Sequence, residues 1–403
     1  MNNRLTACAL VALVAVAPVA SGAPGTRPRA RDLGVPFEGQ PGPLDAITDV
    51  KGVAVGHSTI VRGEGKLEVG KGPVRTGVTA VVPRGRATND DPVFAGWWTL
   101  NGAGEMTGTT WVEESGFLEG PVMLTNTHSI GAVHEGTIAW RVKQGDPDAT
   151  GYWWSNPVVA ETWDGELNDI NGFHVKRENV FEALDKASGG PVAEGSVGGG
   201  TGMICNGFKG GIGTASRVLT AKEGGYTVGA LVQCNYGRKS NLIVAGVPVG
   251  RELAGSGARD EDAGSIIVVV ATDAPLVPTQ LKRLARRVAL GLGRDGAQGG
   301  NGSGDIFIAF STANPGAAKP TGIASVQMLP NDRMNPLFAA TIQSAEEAVI
   351  NSMVAADTMT GANGFTVKAL PQDELVRILK KYNRLVERKG PNGAPTGRAT
   401  REP

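Results

Sequence analysis

The chain has 403 residues, enough for one large domain or two ordinary ones, and its 41% hydrophobic content can fill a sizeable core. Basic and acidic residues balance at 39 each, so net charge gives no case for a nucleic-acid or anionic-membrane partner. The four histidines (His57, His128, His134, His174) stand in no HExxH motif and at no zinc-ligand spacing, so neither a metal nor another cofactor is expected.

At the N-terminus, Arg4 precedes an apolar run from Ala7 to Val19, and Ser21-Gly22-Ala23 offers small residues for cleavage. Residues 1–23 therefore read as a secretory signal rather than a membrane anchor, which implies export to the periplasm or the medium. Leu5-Thr6-Ala7-Cys8 resembles a lipoprotein box, but the apolar stretch follows Cys8 instead of preceding it. The mature chain keeps Cys205 and Cys234, either as a disulfide or as buried free thiols. Residues 24–45, rich in Pro, Gly and Arg, read as a loosely held arm.

Apolar, β-branched runs predict strands at 52–57, 76–82, 120–125, 226–234, 265–272, 305–311 and 322–328. Thr125 to Gly136, TNTHSIGAVHEG, reads as a strand end and turn. Helices are expected at 278–294, where Leu281, Leu284, Val288 and Leu292 share a face, and at 335–359 and 373–388. Helices covering the outer faces of apolar strands would give a layered fold. The tail from about 390 reads as disordered.

The glycine-rich stretch 195–217 lacks a GK[ST] ending or a GxGxxG opening a helix, so close backbone packing is a better reading than a phosphate cradle. No GxSxG elbow is present, and a Ser-His-Asp triad through His128 or His134 is the weaker alternative. Gly264-Ser265 stands out because a polar, charged leader ends there and a buried strand begins. Self-cleavage by attack of the Ser265 hydroxyl on the Gly264 carbonyl would leave Ser265 with a hydroxyl and a free α-amine. Such an amine, with an ordinary pKa of about 7.7–8.0, acts as a base near neutral pH without a histidine.

Several stretches in order across about residues 40–365 carry a resemblance: LNGAGEMTG, LTNTHSIG, VVAETWDGELNDING, GSVGGGTGM, LVQCNYG, GSIIVVVATDAPLVPTQLKRLARR and NGSGDIFIAFSTAN. Together they resemble the L-aminopeptidase/D-amidase-esterase and β-peptidyl aminopeptidase family. The resemblance implies an α+β fold, a four-layer αββα sandwich like that of N-terminal nucleophile hydrolases with different strand connectivity. It implies self-cleavage at Gly264-Ser265 into an α chain (24–264) and a β chain (265–403) that stay associated and assemble as a homo-oligomer of αβ pairs. The implied activity is a serine aminopeptidase acting on short peptides, amides or esters with a free N-terminal amine, through an acyl-enzyme on Ser265.

Residue by residue, the resemblance makes Ser265 the nucleophile, Ser303 its serine partner, Asp305 the acidic member, Asn235 the oxyanion donor and Glu161 the receiver of the substrate amine. Ser303 and Asp305 are i and i+2, so in an extended segment both face one way. The chain departs from the pattern at Trp163, where aminopeptidase members have Tyr with an oxyanion-side hydroxyl. Trp163, with Trp153 and Trp154, is expected to shape the pocket instead. The alternatives are an acyltransferase of the ornithine acetyltransferase type, against which stand Ser at the cut and the export signal, and a non-enzymatic exported binding protein.

Overall fold

A computed structural model of the chain describes residues 28–86, 91–145, 150–151, 154–253 and 263–386. The signal segment 1–23, Trp153, most of the leader before Gly264 and the tail from 390 lie outside the described residues.

Strands run in chain order as β1 (Ala54–Arg62), β2 (Val74–Arg86), β3 (Val93–Gly102), β4 (Phe117–Leu118), β5 (Val122–Asn126) and β6 (Val158–Thr162). They continue as β7 (Ile204–Cys205), β8 (Phe208–Lys209), β9 (Gly211–Val218), β10 (Thr227–Asn235), β11 (Ala263–Thr272) and β12 (Gly302–Ser311). Helices are α1 (Thr109–Ser115), α2 (Ile130–Gln144), α3 (Arg177–Asp185), α4 (Val249–Glu252), α5 (Pro278–Arg294), α6 (Asn335–Val354) and α7 (Gln372–Lys381).

One sheet has the order β1-β2-β5-β6 and the other β4-β3-β12-β11-β10-β9. Three apolar layers stack through them. Val81, Leu124 and Ala160 of the small sheet meet Leu231, Ile267 and Ile308 of the large one. Val133 and Val180 of α2 and α3 cover the small sheet's other face, and Leu284 and Val349 of α5 and α6 cover the large sheet. The order is helix, sheet, sheet, helix, the expected αββα sandwich.

β11 sits at the centre of the large sheet, antiparallel to β10 and parallel to β12. Ile266, Val268 and Val270 face the helices, while Ile267, Val269 and Ala271 face the other sheet, all buried. A strand covered on both faces is apolar throughout rather than alternating. Each fully buried Val or Ile is worth about 1.5–3 kcal/mol, so this run pins the strand that carries Ser265. Helix α5 makes the crossover between the two parallel strands, its face of Leu281, Leu284, Val288 and Leu292 turned inward as the spacing predicts.

Several expectations change. Segment 322–328 is no strand: it joins no ladder, and Ile323 is fully exposed. Its β-branched composition found no neighbouring strand, and such propensity counts only against a partner surface. TNTHSIGAVHEG ends β5 as read, but Ile130 then opens the fifteen-residue α2, which buries Val133 and Trp140. The predicted C-terminal helices stop earlier, at Val354 and Lys381. The described part of the arm, from residue 28, is not loose. Arg29 pairs with Glu194 at 2.8 Å, Arg31 makes a two-pronged contact with Glu347 at 2.7 and 2.8 Å, and Ala30 N donates to Asn351 Oδ1 at 3.0 Å. Composition reads as loop here, whereas the buried acids that hold the arginines come from distant segments. Cys205 and Cys234 form a disulfide.

Candidate active site

Strand pairing assembles the site. Ser265 lies opposite Asn235 of β10 on one side and opposite Gly304 of β12 on the other. Ser265 shares the parity of Ile267 and Val269, so its hydroxyl faces the inter-sheet layer, and the residue is buried. Gly304 N donates to Ser265 Oγ at 3.2 Å.

Gly264 has φ +132°, and a Cβ there would lie 1.9 Å from the Asn235 carbonyl oxygen. Only glycine fits this left-handed, crowded position. The backbone just before Ser265 is thus held in an unusual conformation against the strand that carries Asn235.

Asn235 is locked at both ends of its amide. Ile204 N donates to Oδ1 at 2.8 Å, and Nδ2 donates to the Trp163 carbonyl at 2.8 Å. A side-chain amide carries two N–H groups, so one remains for a developing oxyanion.

Ser303 Oγ donates to Asp305 Oδ1 at 2.6 Å, both groups buried. They share one face, as expected, but it is the helix-facing side of β12, with Phe307, whereas the Ser265 hydroxyl faces the other sheet. In the ladder Ser303 is paired with Gly264, the residue before Ser265.

Glu161, at the end of β6, is buried. Its Oε1 accepts from Glu105 N at 3.0 Å and its Oε2 from the Thr127 hydroxyl. Burial raises its pKa above the usual carboxylate range, the two hydrogen bonds opposing the shift. Gly104 lies between it and β12, for a Cβ at Gly104 would lie 3.2 Å from Glu161 Oε1 and 3.1 Å from Gly304 Cα. Two glycines in contact therefore bring a carboxylate of the small sheet up to the large sheet's centre. Thr127, the Glu105 N–H and the Gly304 N–H carried no role in the sequence reading. Their segments, LTNTHSIG, LNGAGEMTG and NGSGD, were visible, but the two backbone donors leave no mark in residue type, and Thr127 is one hydroxyl among many.

Beneath the site, Asp164 is buried and accepts from Asn168 Nδ2 at 3.0 Å, and burial raises its pKa to about 7. Lys209 is also buried, donating to the carbonyls of Met203 and Gly210 at 2.8 and 2.9 Å, and burial lowers its pKa to about 7. Trp163 is 39% exposed as a residue, while its carbonyl holds Asn235. Trp154 is exposed and meets Trp111 edge-on.

The glycine-rich stretch packs as backbone on backbone: a Cβ at Gly200 would lie 2.4 Å from Ile212 N, leaving no cradle there. Among the described residues no histidine bonds Ser265. His57 is half-buried and bonds Thr79, desolvation of its ring lowering its pKa to about 4, and His174 bonds Asp169. His128 stacks on Phe173.

Residues 45–367 match the model of peptidase family S58. The β-peptidyl aminopeptidase BapA of Sphingosinicella microcystinivorans is 56% identical over 395 residues, covering 94% of this chain and 98% of the relative. BapA of Sphingosinicella xenopeptidilytica is 48% identical over the same shares. Among solved structures, the L-aminopeptidase D-Ala-esterase/amidase of Ochrobactrum anthropi superposes with a TM-score of 0.83 at 48% identity, covering 89% of this chain and 100% of that one. It is described as a prototype of the serine aminopeptidases and a new variant of the Ntn hydrolase fold. A Burkholderia sp. β-aminopeptidase gives 0.82 at 47% identity, covering 88% and 98%.

Proposed function

Because this chain belongs to peptidase family S58 and is an aminopeptidase, we propose that Ser265, freed by self-cleavage, is its nucleophile and that Glu161 selects substrates with a free amine. One observation carries the assignment. A buried serine near the start of the central strand follows a left-handed glycine that tolerates no side chain, with Asn235 opposite it and a backbone N–H on its hydroxyl.

In the first step Ser265 Oγ attacks the Gly264 carbonyl carbon, and the C–N bond breaks as the nitrogen takes a proton. Water hydrolyses the resulting ester, leaving a Gly264 carboxylate and a Ser265 α-amine. That amine emerges beside Ser303, which Asp305 orients through a charge-assisted bond.

In catalysis the substrate ammonium pairs with Glu161, and Ser265 Oγ attacks the first amide carbonyl, its proton passing to the α-amine. Asn235 Nδ2 supports the tetrahedral oxygen, a role worth roughly 3 kcal/mol in comparable sites. The amine leaves with that proton, and water releases the acyl group from Ser265. The deep Glu161 carboxylate, which forms no ion pair among the described residues, supports release of the N-terminal residue, since a blocked N-terminus would leave it buried without a counter-charge. The peptidase match favours hydrolysis over acyl transfer or a purely binding role.

The α chain would end at Gly264 and the β chain begin at Ser265. The two interleave in one sheet, β11 of the second lying between β10 of the first and its own β12, so the pair stays together. The Cys205–Cys234 disulfide supports an oxidising destination, the periplasm or the medium. We also infer a homo-oligomer of αβ pairs, measurable by light scattering.

The test is a denaturing gel with N-terminal sequencing. Two fragments are expected, the smaller beginning at Ser265, and Ser265→Ala gives one intact, inactive chain. An active enzyme in one piece overturns the assignment.

A further inference from the structure

We propose that the Cys205–Cys234 disulfide is a positioning device for the reaction, fixing which end of the Asn235 amide faces the nucleophile. The proposal rests on the reading of Asn235 as oxyanion donor. Cys234 is the residue before Asn235, and Cys205 the residue after Ile204. The bridge, with Cα atoms 5.5 Å apart, therefore stands beside the bond from Ile204 N to Asn235 Oδ1 at 2.8 Å. One residue further on, Asn206 N donates to the Tyr236 carbonyl at 2.7 Å. Three ties in succession fasten residues 204–206 to residues 234–236.

A side-chain amide has two nearly isosteric ends, and only its partners decide which is oxygen. Ile204 N–H demands an acceptor and so places Oδ1. The Trp163 carbonyl demands a donor and so places Nδ2. Were Ile204 to drift, the amide could rotate and present its oxygen toward the developing oxyanion, a repulsive contact.

The β7–β8 pair that carries Ile204 has two residues in each strand, too few to hold its own place. Lys209 Nζ ties the hairpin's ends through Met203 O and Gly210 O, but these contacts lie within the hairpin. The covalent link to β10 is the disulfide, and both cysteines are fully buried.

The experiment is a cycle on the self-processed, full-length enzyme with a free-amine amino-acid p-nitroanilide. Cys205→Ala/Cys234→Ala is expected to lower kcat roughly 10- to 100-fold, as misplacement of a reacting group does. KM should stay within about twofold, because Glu161 is untouched. In an Asn235→Ala background the same cysteine change should cost nothing more. Equal losses in both backgrounds, or an unchanged kcat in the first, overturn the proposal. An Asn235→Ala enzyme with full kcat removes the premise itself, a failure visible before any cysteine is changed. Should the double variant not fold, wild-type enzyme cut while oxidised and then reduced with a phosphine to two counted thiols takes its place. It should lose kcat and regain it on reoxidation, and full activity with both thiols free overturns the proposal.

Discussion

Replacing Glu161 with Gln removes one charge while keeping shape, and the structure sets the size of the effect. The carboxylate is buried, held by Glu105 N at 3.0 Å and by the Thr127 hydroxyl, and no ion pair to it is formed among the described residues. The substrate ammonium is its counter-charge in the mechanism above. Losing one partner of a desolvated charge pair costs 2–5 kcal/mol, so about 3 kcal/mol, roughly 150-fold in kcat/KM, is expected. The assay compares a free-amine p-nitroanilide with its N-acetylated analogue, and in Glu161→Gln the preference for the free amine should collapse. Self-cleavage should proceed normally, since among the described residues the Glu161 carboxylate bonds to Glu105 N and the Thr127 hydroxyl and not to residues 264–265. The same substitution should stabilise the free enzyme. Burial raises the Glu161 pKa, so the folded state binds its proton more tightly than the unfolded state. Stability from this group is full below the ordinary carboxylate pKa of about 4.3 and is lost as pH rises through the raised folded value. Glu161→Gln should therefore melt a few degrees higher at neutral pH, with the gain vanishing in acid. The acid limb of kcat/KM should likewise lie above the ordinary carboxylate range. A kcat/KM within tenfold of wild type, with amine preference intact, refutes the reasoning.

Other outcomes follow from the same geometry. Gly264→Ala places a methyl 1.9 Å from the Asn235 carbonyl, so the chain should remain uncut on a denaturing gel. Asp305→Asn replaces a charge-assisted bond to Ser303 with a neutral one and should lower kcat about 10- to 100-fold, leaving KM nearly unchanged in steady-state kinetics. Trp163→Tyr should shift substrate preference across a panel of acyl groups but alter kcat less than about tenfold, because Asn235 is held by the residue 163 carbonyl and not by its ring. A hundredfold change in kcat would give the ring a direct part in the chemistry.

What the sequence determined by itself was the strand that matters and where it begins. Five consecutive aliphatic residues after Ser265 cannot be exposed, and a charged leader cannot be buried, so the boundary at Gly264 was visible in composition alone. The i, i+2 spacing of Ser303 and Asp305 likewise fixed that they share a face. The identity of that face was not legible. It depends on β12 lying parallel to β11 in a register that sets Ser303 beside Gly264, a pairing made through a crossover helix. The unpaired segment 322–328 shows the same limit from the other side, since its strand-like residues found no edge to join. Glu161 came to the site because two glycines, 200 residues apart in the chain, allow two sheets to touch. The Glu105 N–H that holds it beside the Thr127 hydroxyl, and the carbonyl and N–H that orient Asn235, are main-chain groups that almost any residue supplies. Side-chain chemistry is written in the sequence. The direction in which a backbone group points is decided only when the layers pack.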